Sequence, residues 1–462
     1  MSAELPVVAD LIDDAWGTPQ IDLGVALQDP ATGRPVARAV ATAAERVERA
    51  LAVADAATGR IDANTLDAIA AELDARLPWI AELDARATGV PIAQTAPLAA
   101  IVSGSFRLAA EQLRTGALRQ DRDGVEVHRL PLGPALCLVP WNAPAPMAAH
   151  KVANALAAGC PVILKVSELA PYSSVVLAEA IAEHVPAGTF QLVQGGAQVG
   201  AQLVASPVIK AVSFTGGLAG GRSVATASAG LLRPCQLELG GNNPLVVLPD
   251  ADFDSATRIA AELLTTLNGQ WCRALGRLIL PADRAGDLVE GIGKRLAALR
   301  IGAPMDPLTE FGPLLHANHV RTVRASFEGR TARTFGDLPP VGNYLAPTLL
   351  DGDLTEEVFG PVAGVVTYRD LEDAVTSANA VPYGLEGYVC GADEQQALSV
   401  ARRIRAGEVK VNGSSIMSLH LMTPRPAWGL SGLGEEGTAE TLRFFTGARV
   451  VGVEGSFALH TS

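Results

Sequence analysis

From Gly133 onward the chain alternates two kinds of segment, and this alternation constrains the fold more than any other feature. Leu136-Cys137-Leu138-Val139 and Val162-Ile163-Leu164 are short, unbroken apolar runs, followed by Phe190-Gln191-Leu192-Val193 and Ala211-Val212-Ser213-Phe214. Ala148 to Ala158 and Val175 to His184 lie between them with helical spacing. A strand that is apolar at successive positions has both faces covered, as in the middle of a parallel sheet. The succession predicts an open, doubly wound α/β sheet with ligands at the carboxyl ends of its strands. A second α/β stretch begins after Gly240. Its strand candidates are Leu245–Leu248, Arg277–Leu280, Val362–Tyr368 and Val409–Val411, and its helix candidates Ser255–Leu267, Ala285–Leu299 and Glu394–Ala406. Upstream, Pro35 to Leu113 is alanine-rich with apolar residues every three or four positions, which predicts helix. Gly329 to Pro347 has many Gly and Pro residues and no period, and reads as surface loop.

Two pieces stand outside both stretches. Asp121-Arg122-Asp123-Gly124 is a turn signal ahead of the alternating Val125-Glu126-Val127-His128-Arg129-Leu130, and predicts a hairpin. Ala448 to Val453 is a further strand candidate. Neither has an evident partner in the two main stretches, and an apolar edge needs one. A chain of 462 residues exceeds one ordinary core. The division expected is 1–115 with 131–240, then 241–440, with 116–130 and 441–462 as a small β arm.

Bulk properties remove several function classes. A net charge of −13 argues against nucleic acid and anionic membrane as partners. Met1 to Gly17 has acids and no basic, then apolar, leader pattern, and no stretch approaches the ~20 apolar residues of a membrane helix. Cys137, Cys160, Cys235, Cys272 and Cys390 are dispersed, which fits free thiols in a reducing cytoplasm, not a disulfide frame or zinc site. His316-x-x-His319 has no clustered acid or cysteine and predicts no metal.

The chemistry-bearing residues lie in distinct contexts. Cys272 ends Asn268-Gly269-Gln270-Trp271-Cys272, and Glu238 sits in Leu237-Glu238-Leu239-Gly240-Gly241-Asn242-Asn243-Pro244. A lone cysteine is more often a small buried hydrophobe. A thiol with a carboxylate held near it, however, can attack a carbonyl carbon, and the same carboxylate can later take a proton from water. Pro140-Trp141-Asn142 adds an amide able to donate to an oxyanion.

At these residues the chain resembles the NAD(P)-dependent aldehyde dehydrogenase superfamily, over nearly its whole length. Asp29-Pro30-Ala31-Thr32-Gly33, Lys165-Val166-Ser167-Glu168, Phe214-Thr215-Gly216, Glu356-Glu357-Val358-Phe359-Gly360-Pro361-Val362, Tyr383-Gly384-Leu385, Val411-Asn412 and Ser431-Gly432-Leu433-Gly434 carry the likeness together with the motifs above. The resemblance implies a Rossmann-like cofactor domain, an α/β catalytic domain and a β arm that oligomerises the protein as a homodimer or tetramer. It implies Cys272 as nucleophile, Glu238 as base for a deacylating water, Asn142 as oxyanion donor and Lys151 as a proton-transfer aid. Trp141, Lys165, Glu168, Phe214, Thr215, Gly216, Gly217, Glu357 and Phe359 are then the cofactor residues. Glu168 favours NAD over NADP, because an acid repels a 2′-phosphate. Met147, His150, Trp271, Arg273 and the loop Ser414 to Thr423 are implied as the wall for an aldehyde substrate. Arg273 could grip an anionic tail or pair with a local acid.

The sequence departs from the family pattern at Gly217, where serine is usual, and at Val166, where proline is. It also departs at Pro426-Ala427, in place of a glycine pair, and at Gly429, in place of a frequent lysine. The implied reaction is oxidation of an aldehyde to the acid. Its rivals are a coenzyme A-acylating dehydrogenase, against which Glu238 argues, and a non-catalytic protein that keeps the fold.

Overall fold

The computed structural model describes residues 5–57 and 61–454. Five parallel strands form the centre of the first sheet, in the order Phe190–Val193, Val162–Lys165, Ala135–Leu138, Ala211–Thr215, Cys235–Glu238. Their side chains alternate between two cores. Ala135, Cys137, Val162 and Leu164 pack with the helices Ala63–Thr88, Ile92–Arg114, Pro144–Ala157 and Tyr172–Ala182. Leu136, Leu138, Ile163 and Val212 face the helices Ala44–Ala56 and Ala197–Ala205 on the other side. Helices on both faces are why these strands read as unbroken apolar runs, and the doubly wound expectation holds.

The second sheet runs Thr348–Asp351, Val362–Tyr368, Leu275–Pro281, Asn243–Val247, Glu386–Cys390, Glu408–Val411, all parallel. Leu245, Val247, Leu278 and Leu280 face one core, and Val246 and Ile279 the other. Only Leu239 to Asn242 separate the last parallel strand of the first sheet from the first strand of the second. The Glu238 motif is therefore the hinge segment between the two sheets.

Two expectations change. Pro35–Ala41 is a strand, paired antiparallel with Ile21–Gln28, and helix begins only at Ala44. Alternation with Ala39 and Ala41 buried outweighs the helical preference of alanine there. Within Gly329 to Pro347, Ala332–Thr334 pairs with Thr348–Asp351, and Asn343 to Ala346 are buried. The segment is not wholly surface. The arm strands partner each other: Arg119–Arg122 and Val125–Pro131 form the hairpin, and Thr446–Val451 joins its other edge in a three-stranded antiparallel sheet. Ala448 to Val451 belong to this arm, but helix Thr438–Phe444 packs on Pro144–Ala157, and Leu442 and Phe445 lie in the first core. Gly432–Leu433 adds an antiparallel strand to Cys235–Glu238, so the chain returns to the first sheet before the arm. No helix of the described residues is long and apolar enough to cross a membrane.

Candidate active site

One cleft of about 370 Å³ lies where the two sheets meet, and Cys272, Glu238 and Asn142 all line it. Cys272 follows the helix Phe253–Thr265 and a short turn, and precedes strand Leu275–Pro281. Three successive residues in that turn have left-handed backbones, Leu267 (φ 50°), Asn268 (φ 58°) and Gly269 (φ 73°). Such a run is unfavourable unless its surroundings hold it. Here buried amides do. The Asn268 side chain donates to the carbonyls of Gly89 and Pro313, both at 2.9 Å, and accepts from the Gly312 N–H at 2.8 Å. Gln270 donates to the Thr88 carbonyl and accepts from the Leu315 N–H. On the far side of the nucleophile, Asn243 donates to the carbonyls of Cys272 (3.0 Å) and Ala274 (2.8 Å), and the Tyr388 hydroxyl donates to that of Arg273. Sequence reasoning gave none of these clamps a role, although Asn268 and Gln270 stood inside the Cys272 motif and Asn243 inside the Glu238 motif.

Glu238 ends its strand, buried, with its carboxyl against the Cys272 thiol. Burial first, and then the nearby Glu436 carboxylate, raise the Glu238 carboxyl above its ordinary range. Burial and Glu238 push the Cys272 thiol well up, so the resting sulfur keeps its proton. The Glu238 Oε2 atom is buried and has no hydrogen-bond partner among the described residues. Asn142 donates one amide N–H to the Gln270 carbonyl at 2.9 Å, which fixes the amide plane and leaves the second N–H for the cleft.

Lys151 does not line the cleft. It is fully buried, and its Nζ lies 2.5 Å from Glu436 Oε1 and 2.8 Å from Ser213 Oγ. Glu436 does line it, and sequence reasoning missed that residue. Burial opposes its ionisation, but Lys151, His150 and Arg425 together outweigh burial and hold the carboxyl at about 2.

Of the cofactor candidates, Trp141, Thr215, Gly216, Gly217, Glu357 and Phe359 share the cleft. Lys165 and Glu168 stand apart from it at the end of Val162–Lys165, with Nζ and Oε2 3.8 Å apart. The Phe214 ring packs under the turn, where a Cβ on Gly216 would meet it at 2.6 Å. Gly217 caps the helix Leu218–Gly230, and the space beside it is open. The Thr215 hydroxyl is buried without a partner among the described residues. Orphan donors at a helix N-terminus, an open glycine turn and a free hydroxyl suit a pyrophosphate. Glu357 accepts from the Gly241 N–H at 3.2 Å and lies over Gly240, where a Cβ would sit 1.9 Å from its carboxylate. Only glycine permits that approach. Phe359 stands edge-on to Trp141 at 5.5 Å, and His319, also missed from sequence, stands edge-on to Trp141 at 5.3 Å. These residues fit a dinucleotide.

Of the substrate wall, Met147 and Trp271 line the cleft, with Ile416 and Ser418 from the loop 414–423. Arg273 also borders it, but its guanidinium is held by Glu386 and by Glu408 at 3.4 Å. Lys410 forms ion pairs with the same two acids at 3.1 and 3.7 Å. The local-acid alternative is the one realised, because a buried arginine needs its charge matched. His150 lies behind the wall: its Nε2 is 3.1 Å from Arg425 and 3.2 Å from the Thr441 hydroxyl. His316 is committed to capping, with its Nδ1 accepting from the His319 N–H at 2.9 Å. The departures at 426–429 also have structural reasons. Arg425–Pro426 pairs with Glu435–Glu436, and Gly429 takes φ +60° with the Pro382 carbonyl where a side chain would start.

The aldehyde dehydrogenase family model matches residues 19–451. A peroxisomal aminoaldehyde dehydrogenase 1 from Malus domestica is 33% identical, covering 90% of this chain and 90% of its own length. A 4-(hydroxymethyl)benzenesulfonate dehydrogenase from Comamonas testosteroni is 31% identical, covering 94% and 96%. Among solved structures, a mutant aldehyde dehydrogenase C from Pseudomonas syringae, with NAD+ and octanal, has a TM-score of 0.91 at 28% identity over 100% of both chains. A Mycobacterium tuberculosis aldehyde dehydrogenase with NAD+ has a TM-score of 0.90 at 28% identity, over 98% of this chain and 99% of that one.

Proposed function

The chain belongs to the aldehyde dehydrogenase family, and from that premise we propose that it oxidises an aldehyde to the carboxylic acid with NAD+ and water, by covalent catalysis at Cys272. The meeting of Cys272, Glu238 and Asn142 at one cleft carries this reading. Cys272 Sγ attacks the carbonyl carbon while Glu238 takes the thiol proton. The free amide N–H of Asn142 donates to the alkoxide oxygen of the thiohemiacetal. NAD+, when bound, supplies the acceptor for the hydrogen that leaves this carbon with its electron pair. Glu238 passes the thiol proton on to solvent and then takes a proton from water. The water oxygen bonds to the thioester carbon, and the carbon–sulfur bond breaks to release the acid while Glu238 returns its proton to the departing sulfur, restoring the thiol. A carboxylate raised by burial is a stronger base, suited to this work near neutral pH. Lys151 acts through Glu436, as a positioning residue.

Thr215, Gly216 and Gly217 would hold the pyrophosphate, Glu357 the ribose hydroxyls and Lys165 and Glu168 the adenosine ribose. Trp141 and Phe359 would wall the nicotinamide. The reading extends to a homodimer, or a tetramer built from two, joined through the β arm, and to a reducing compartment such as the cytoplasm. The exposed arm and five unpaired thiols support these. Kinship alone does not fix the charge of the substrate, since the relatives' names cite an aminoaldehyde and a benzenesulfonate.

Rapid-mixing measurement of NADH formation tests the mechanism. Glu238→Gln is expected to lower steady turnover by about two powers of ten or more. An initial burst survives only if another base takes the thiol proton, and equal loss of burst and turnover assigns that step to Glu238 as well. Full steady turnover in this variant would remove Glu238 from deacylation. Wild-type turnover that depends on added coenzyme A would establish the acylating rival instead.

A further inference from the structure

The cationic side chains around the cleft are each held closely by acids, with one exception. Arg273 and Lys410 face Glu386 and Glu408, two charges of each sign. Lys151 faces Glu436 at 2.5 Å. Arg425 remains. It lies opposite Glu436 in the antiparallel ladder, but its Nη2 reaches that carboxylate only at 3.8 Å, and the other oxygen of Glu436 already serves Lys151. Its firm contact is with His150 Nε2 at 3.1 Å. Burial, and then Arg425 itself, push His150 down to about 3, so the ring is a neutral acceptor that holds the guanidinium without offsetting its charge. The Arg425 side chain is 26% exposed and lines the cleft. Its Nε and Nη1 have no protein partner among the described residues. The fork is thus anchored by one nitrogen, with donors left over, an arrangement suited to a carboxylate or sulfonate. Leu98, Ile101, Met147, Trp271 and Ile416 make the surrounding wall apolar.

Resting on the aldehyde-oxidising reading above, we propose that Arg425, seated on His150, is a specificity-determining residue that selects aldehydes carrying a second, anionic group on an apolar body. The aldehyde carbon meets Cys272, the aliphatic or aryl body fills the apolar wall, and the anion meets the free guanidinium donors. A cationic aminoaldehyde is disfavoured where its ammonium would lie against the Arg425 guanidinium.

The test compares kcat/KM from NADH formation for benzaldehyde, 4-carboxybenzaldehyde, 4-formylbenzenesulfonate and 4-(trimethylammonio)benzaldehyde. At least one anion is expected to exceed benzaldehyde by about tenfold or more, with the cation below it, and the gap should shrink as salt rises. Arg425→Gln should collapse the anion-to-neutral ratio, chiefly through KM, and Arg425→Lys should restore part of it. A wild-type ratio of one or less, or an unchanged ratio in Arg425→Gln, overturns the proposal. If Arg425→Gln does not fold, wild-type inhibition decides. Terephthalate must then compete with benzaldehyde about tenfold better than terephthalamide, and equal inhibition overturns the proposal. Absence of NADH with every aldehyde would sink the dehydrogenase reading separately. Calorimetric binding of terephthalate against terephthalamide would still decide the role of Arg425.

Discussion

Glu357 is held over Gly240 with its carboxyl largely out of water, and burial pushes it up to about 7. An acid raised in the folded state keeps a proton that the unfolded chain has already lost. Stability therefore falls as pH climbs from the ordinary carboxylate range through about 7, and is level above. Glu357→Gln removes that slope. Its stability relative to wild type is expected to rise between pH 5 and pH 8 by on the order of 1 kcal/mol in denaturant melts. A difference constant across that range would show that Glu357 ionises freely. Glu168 carries a different charge argument. Its carboxylate lies near Lys165 and would repel a 2′-phosphate. Wild type is expected to prefer NAD over NADP in kcat/KM, and Glu168→Ser to narrow the gap by about tenfold, or ~1.4 kcal/mol. A wild-type preference for NADP would contradict this. The identities of Cys272, Glu238 and Asn142 were legible because each sits in a contiguous motif. The partners of Arg273 were not, since Glu386 and Glu408 are 113 and 135 residues away and are brought in only by the second sheet.

The nucleophile turn shows what an element needs beyond its pattern. Leu267 to Gly269 hold unfavourable backbones, and Asn268 ties them to two other segments through three hydrogen bonds. Asn268→Ala removes those bonds and places alanine in the left-handed region. The expected loss is about 2–4 kcal/mol of stability, and alkylation of Cys272 should change in rate. Asn268→Asp keeps the shape but sets a carboxylate against the carbonyls of Gly89 and Pro313, and is expected to be no milder. If both variants melt like wild type and keep the alkylation rate, the turn holds itself. The sequence revealed most of the parallel strands but hid Thr348–Asp351, Cys235–Glu238 and Glu386–Cys390. Cys235–Glu238 and Glu386–Cys390 carry glutamates that the site or the buried ion cluster uses, so their strand pattern is interrupted by function. Pro35–Ala41 was hidden for another reason, because alanine suits either period and burial decides.

At the scale of the molecule, both sheets end at one cleft and the arm stands outside it. Val125–Pro131 is half-buried along its length, and Ala448 to Val451 are exposed, with Val450 at 65% and Val451 at 48%. No arm-strand residue joins an apolar core among the described residues. A small sheet with exposed valines and two open edges is marginal by itself and a template for pairing. The simplest cover is a second copy of the chain, related by a two-fold axis. Full-length protein is therefore expected to scatter light as a dimer or tetramer at micromolar concentration. Truncation before Ala448 removes four of the six register pairs that Thr446–Val451 makes with Val125–Pro131. It should lower the oligomeric state or the solubility while leaving the first core, which holds Leu442 and Phe445, in place. A full-length monomer would defeat this expectation, and a truncated chain with unchanged mass would move the interface away from the arm.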